Sequence, residues 1–305
     1  MSHSELQSLT SRLAGYLLLF AGMALVGTYV ALSKPLVAAF PVFLLAWLRF
    51  GIAAVVMLPW TVAPIRERSV SAGEWRKLFL QSFFGNFLFS IFMLYGVSMT
   101  SATAAGVILA TLPAVVALFS WMFLRERLER RAWLAVALAV AGVTTLTLAR
   151  GLAADAQSVL GNLLVFACVC CEATYVILGK RLTATLSALR ISALINLFGF
   201  ALMTPLGLWQ ALRFDFGAPG AGTWALLLFY ALAASMFSTW LWLSGLRHVP
   251  ANHSGVFTIA MPLAATAVGV AWLGERLTLV HGVAFAFAAA GIALIAWPGR
   301  RTRQI

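Results

Sequence analysis

Ten runs of about 20 apolar residues divide this chain, at about 13–33, 42–62, 76–97, 102–123, 132–149, 159–179, 189–209, 223–246, 253–273 and 279–297. An α-helix rises ~1.5 Å per residue, so each run matches the ~30 Å of hydrocarbon in a bilayer. With 62% hydrophobic and 10% charged residues over 305 positions, the chain has too little polar surface to wrap a water-soluble core. A membrane barrel would show short alternating segments, whereas an unbroken apolar run satisfies its own backbone hydrogen bonds in lipid only as a helix. The expected fold class is an all-α membrane protein with ten transmembrane helices. The first run has no small-residue cleavage site and is expected to remain as a span.

The runs are duplicated. Glu126-Arg127-Leu128 and Glu275-Arg276-Leu277 stand 149 residues apart, and the same offset pairs Gly96 with Gly245, Gly106 with Gly255, Pro113 with Pro262 and Gly142 with Gly291. Upstream, an offset of 146 pairs Gly15 with Gly161, Thr28-Tyr29-Val30 with Thr174-Tyr175-Val176, and Lys34 with Lys180. Residues 1–150 and 151–305 therefore read as two five-helix units. A unit with an odd number of spans enters the membrane the second time from the opposite side, so the two are expected to be inverted repeats.

Charge gives the orientation. With the N-terminus cytoplasmic, 16 of the 21 Lys and Arg residues fall in inner segments, four (Lys34, Arg150, Arg213, Arg276) fall outside, and Arg49 lies within a span. The positive-inside rule places both termini in the cytoplasm of a bacterial inner membrane. The net charge of +12 then reflects topology and anionic lipid, and no nucleic-acid partner is expected. One Glu-Arg-Leu copy sits in a basic inner loop and the other in a nearly bare outer one, so charge balance does not explain both. Each falls in a tight turn, where the Glu is expected to meet the positive end of the following helix.

The duplicated ten-helix pattern, RERL and GERLT closing the fourth and ninth helices, a proline inside each of those helices, a glycine near the middle of the fifth and tenth, and LAWLRFGIAA in the second together resemble the drug/metabolite transporter (DMT) superfamily, EamA type. The resemblance covers nearly the whole chain. It implies an exporter of amino acids or other metabolites, such as the YddG-type aromatic amino-acid exporters, with a cavity framed by helices one, three, four, six, eight and nine.

Other chemistries find no residues to carry them. The sequence has no Gly-rich Lys-Ser/Thr loop for nucleotide phosphates, and its four histidines are scattered without zinc-ligand spacing. Cys168, Cys170 and Cys171 point around one helix and read as packing. No enzyme activity, metal or cofactor is expected.

Polar residues inside spans point to a site, because each needs a partner or a wet cavity. Ser82, Asn86 and Ser90 stack on one face of the third run, and the 149 offset maps Asn86 onto Ser235 and Ser90 onto Thr239 in the eighth. Two readings stay open for these stripes, a substrate cavity and interhelical hydrogen bonding. Trp240 and Trp242, with Tyr95 and Tyr175, are candidates to stack on substrate, and Asn252, His253 and Ser254 open the ninth run. Pro113 and Pro262 free the carbonyls of Leu109 and Thr258 and are candidate gating kinks, with Thr258 then free to reach a ligand. Glu172 and Arg49 are the opposite charges inside spans. Glu172 either binds a substrate ammonium, carries a coupling proton or forms a structural pair. The reading is a secondary exporter of small metabolites, amino acids first, working by alternating access; the alternative is a multidrug exporter of lipophilic cations. The partners expected are a small-molecule substrate and the lipid bilayer, and the fused duplication is compatible with a monomer.

Overall fold

A computed structural model of the chain describes residues 3–61, 69–124, 130–152, 156–182, 185–246, 257 and 260–296. Thirteen α-helices are found among them: α1 His3–Ala39, α2 Val42–Met57, α3 Ala72–Ser82, α4 Phe89–Met99, α5 Ala102–Leu109, α6 Leu112–Leu124, α7 Arg130–Leu152, α8 Ala156–Leu182, α9 Ala188–Ala211, α10 Ala221–Leu232, α11 Ser238–Leu246, α12 Ala260–Ala271 and α13 Leu279–Ala296. No strand occurs among the described residues. Seven helical stretches are long and apolar enough to cross a membrane: Leu13–Ala39, Val42–Thr61, Ala72–Met99, Ala102–Phe123, Ser158–Tyr175, Leu189–Ala211 and Ala221–Trp242. Three shorter apolar stretches, Trp133–Gly142, Ala260–Ala271 and Leu279–Gly291, lie in α7, α12 and α13.

Local chemistry sets several of the boundaries. Ser71 and Glu74 form a reciprocal capping box that starts α3, and the Ser101 hydroxyl accepts the Ala104 N–H at the start of α5. α1 runs past the expected end at Ser33 and carries Pro35 within it, with Leu36 continuing its buried face and Phe40 buried just beyond its end. The fourth apolar run is two helices instead of one. α5 stops at Leu109, and the N–H and hydroxyl of Thr111 both turn back onto the Ile108 carbonyl before α6 begins. Pro113 in the first turn of α6 has no N–H to continue the ladder and clashes with the carbonyl four residues back, so the expected kink becomes a break.

Helix association here rests on close packing, since lipid tails are as apolar as leucine. α2 lies along α9, α4 along α8, α7 along α13, and α1 along both α11 and α12. Among the described glycines the tightest site is Gly27 of α1, where an added Cβ would collide with the Met261 carbonyl of α12. Leu44, Leu45, Phe50, Met93, Leu94 and Ile108 fill the interior, while Leu17, Val55 and Leu163 stand outward as lipid contact requires.

Two interruptions have no counterpart in the sequence reading. Phe83–Leu88, between α3 and α4, and Ala233–Phe237, between α10 and α11, are π-helical turns. Asn86 sits inside the first and Ser235 inside the second. A π-turn widens the helix by one residue and exposes backbone that a regular helix would bond, which is why such turns gather at functional sites.

Candidate functional site

Arg49 lies about 10 Å along α2 from its start at Val42, a depth at which lipid would surround an outward-facing side chain. It turns inward instead and is 4% exposed. One Nη donates to the Ser90 hydroxyl on α4 at 3.1 Å. The guanidinium carbon stands 4.3 Å from the Phe50 ring centre and 5.7 Å from that of Tyr230 on α10. Cation–π attraction to the two rings compensates part of the lost hydration. The Arg49 Nε and the Tyr230 hydroxyl are both buried with no hydrogen-bond partner. Arg49 approaches the Tyr230 hydroxyl closely enough to act on it as a donor, though not in full hydrogen-bonding geometry, and the hydroxyl proton has no acceptor. Tyr29 of α1 meets Tyr230 edge-on at 5.9 Å. No carboxylate pairs with Arg49 among the described residues. An uncompensated arginine near a span centre costs about 2.5–3.5 kcal/mol on insertion scales, so its retention needs a function or a partner.

Glu172, on α8, is partly buried and makes neither a hydrogen bond nor an ion pair among the described residues. It stands within electrostatic reach of Tyr29, Tyr175, Cys168 and Cys171. Tyr29 also feels Arg49. The two intramembrane charges therefore do not form a salt bridge, and Tyr29 stands in the field of both.

The polar stripe of the third run divides between two partners. Ser82 and Asn86 both donate to the Ile195 carbonyl of α9, at 2.6 and 2.7 Å, whereas Ser90 receives Arg49. Across the molecule, Ser235 and Thr239 are partly buried and bond no described residue. Trp242 is partly buried with its backbone N–H against Gly22 of α1, while Trp240 faces outward at 49% exposure. Tyr95 meets Phe43 edge-on, and Tyr175 lies against Gly85 in the first π-turn. His253 and Thr258 lie outside the described residues, as does the Glu126-Arg127-Leu128 turn. Pro262 is buried in the first turn of α12, and Pro113 is partly buried in the first turn of α6.

Sequence reasoning passed over Tyr230, Tyr29 and Gln81. Gln81 is buried, donates to the Tyr175 carbonyl at 3.4 Å and leaves its own oxygen unpartnered. The signal was available, because the 149 offset pairs Gln81 with Tyr230. Among the described residues no three His, Cys, Asp or Glu side chains converge as metal ligands would.

Glu275 behaves differently from the expectation for its turn. Gly274 takes φ +66°, a left-handed conformation natural to glycine, and the Glu275 N–H returns to the Gly269 carbonyl. The carboxylate then reaches away from α13, the helix that follows, to the start of α5. One oxygen accepts from the Ala102 N–H at 2.8 Å and from Lys34 Nζ at 2.9 Å; the other accepts from the Thr103 N–H at 3.0 Å and its hydroxyl at 2.8 Å. Burial alone would raise its proton affinity, but the donors from Thr103, Ala102 and Lys34 outweigh it and hold the carboxyl below its usual value. The helix-dipole logic holds, with a helix distant in sequence as its object.

The chain matches the model of the EamA-like transporter family at residues 13–148 and again at 159–297. Among similar proteins, an uncharacterized transporter of Bacillus subtilis strain 168, YetK, is 36% identical over 286 residues, covering 92% of this chain and 86% of the relative. A second from the same organism, YwfM, is 26% identical and covers 84% of each chain. A crystal structure described only as that of a protein shares the fold, with a TM-score of 0.65 at 20% identity over 95% of this chain and 99% of the other. The chain belongs to the EamA-like transporter family of the DMT superfamily and is a multi-pass membrane transporter, not an enzyme.

Proposed function

We propose that the protein is a secondary active exporter of small metabolites, amino acids of the YddG-type substrate class first, built from two inverted five-helix repeats (1–150 and 151–305) that alternate access to one central site. The observation that carries this reading is the placement of Arg49 and Glu172: two opposite charges inside the spans, not paired with each other. A zwitterion needs one fixed charge of each sign, held apart. A lipophilic cation needs only the acid, and a buried Arg49 opposes it.

Reciprocal packing supports the repeat architecture. Gly96 lies against Gly161 and Val165, and their equivalents, Gly245 against Gly15 and Leu19, repeat the contact. Gly142 meets Ala284 just as Gly291 meets Ala135, and Gly51 and Gly199 meet Phe200 and Phe50, their own counterparts at the 149 offset. Such exchanges are what a two-fold axis generates, and residues touching their own counterparts lie on it. The two π-turns fall at matching positions too, and Pro113 and Pro262 each stand in the first turn of a described helix. Carriers of this kind bind substrate near the midplane where discontinuous helices meet at the repeat interface. Ser235, Thr239, Trp242 and Thr258 would line that site with the Arg49 and Glu172 groups, and α5–α6 and α12 would swing to gate it.

Both termini are cytoplasmic in this reading, and a monomer suffices. Counterflow in proteoliposomes with amino acids, nucleotide sugars and cationic dyes tests the substrate; exchange of dyes alone would replace the amino-acid reading with multidrug export. Single cysteines at Asp215 and Thr302, in a chain lacking the native three, test the topology, since an impermeant reagent should label only the former in intact cells.

A further inference from the structure

We infer that Arg49, with the Tyr230 hydroxyl, is the anchor for an acidic group of the transported substrate, so that a carboxylate is obligatory in whatever this protein carries. The inference rests on the small-metabolite transport reading and narrows it to a chemical class.

The guanidinium has five N–H donors in a rigid planar fork that matches a carboxylate edge to edge. Among the described residues Arg49 makes one hydrogen bond, to Ser90. Ser90 fixes the fork from α4 while the Phe50 ring fixes its face. Nε, one of the donors on the edge that carboxylates grip, is left buried and unpartnered. The Tyr230 hydroxyl, fully buried and approached by Arg49, is a second donor whose proton has no acceptor. Two orphaned donors on adjacent helices, beside a cation with no counter-ion, make a complement to an anion. Had the cluster been purely structural, an acid from a neighbouring helix would be the simplest way to neutralise it. Glu172, whose field also reaches Tyr29, is free of a salt bridge to Arg49. The anchor joins α2, α4 and α10, while α10 leads directly into the π-turn that carries Ser235. Seating a carboxylate there would draw α10 toward α2, so binding would be coupled to movement of one helix against another.

The test uses purified full-length protein in proteoliposomes, with L-phenylalanine, its amide, phenethylamine, 3-phenylpropionate and ethidium as probes. In wild type the two acids should exchange, or compete for exchange, at least tenfold better than the amide and the amine. Arg49→Gln should abolish that preference, Arg49→Lys should retain part of it, and Tyr230→Phe should raise the apparent KM for the acids several-fold with little change in maximal rate. Equal competition by acid and amide in wild type overturns the anchor, as does an unchanged acid-to-amide ratio in a folded Arg49→Gln protein. Should Arg49→Gln fail to fold, the wild-type ratio and Tyr230→Phe decide. Exchange of 3-phenylpropionate without any amino acid would support the anchor while removing the amino-acid reading. Exchange of ethidium alone would remove the anchor and leave a transporter.

Discussion

Replacing Glu275 by Gln keeps the shape of the side chain and removes one charge from a site where both oxygens are occupied by donors. An amide has one acceptor and one donor end. Its oxygen can keep the Lys34 and Ala102 contacts, and its NH2 can face the Thr103 hydroxyl turned round to accept, but the Thr103 N–H then loses its partner. Hydrogen bonds to charged groups contribute about 1.5–3 kcal/mol each, and breaking a buried ion pair costs ~3–5 kcal/mol when the partner stays buried. Lys34 is 34% exposed on its side chain, against 12% for Glu275, and can rehydrate. The expected loss is therefore about 2–4 kcal/mol. At roughly 2 °C per kcal/mol for a chain of this size, Tm in detergent should fall by about 4–8 °C. The pH dependence carries its own signature. A carboxyl held below its ordinary value stabilises the folded protein fully above the unfolded carboxylate range, near pH ~4.3, and loses that contribution as pH falls through the native value. The gap between wild type and Glu275→Gln should be constant from about pH 5.5 to 8 and narrow in acid below about pH 4.5. A variant that melts within a degree of wild type at pH 7, or a gap that widens in acid, would refute the reasoning.

Gly27→Val should destabilise the protein by more than the ~1–3 kcal/mol of ordinary overpacking, because the obstacle is the Met261 backbone, whereas Gly73→Ala, with open space around it, should be neutral or stabilising by up to ~1 kcal/mol in the same melts. Pro113→Ala and Pro262→Ala should slow transport several-fold with Tm unchanged or raised, the break ahead of Pro113 closing into continuous helix; normal rates from purified variants would end the gating role. Glu172→Gln should keep substrate exchange and lose flux driven by a pH gradient if the carboxyl carries the coupling proton, and wild-type flux at every pH would take it out of the mechanism.

Much of this molecule was legible because the controlling physics is local. Hydrocarbon forces any span to satisfy its own backbone, so unbroken apolar runs announce helices without reference to what surrounds them, and seven of the ten were found at full spanning length, with apolar helices in the other three. Proline removes its own N–H, so an interruption near Pro113 could be read from one letter; that it would be a two-residue break depended on where Thr111 found a carbonyl. The spacing of Ser82, Asn86 and Ser90 put them on one face, but the face could not say that two would meet Ile195 of α9 and the third Arg49 of α2. Glu275 makes the distinction plainest. Its sequence context marked it as a helix-end carboxylate, and a helix end is where its charge belongs. The helix it serves begins 173 residues earlier, and nothing within reach of the turn along the chain names it. The π-turns and the orphaned donors of Arg49 and Tyr230 belong to the same category. A helix widens, or a buried donor goes unpartnered, only in response to neighbours from other spans, and those neighbours are chosen by the packing of the whole bundle.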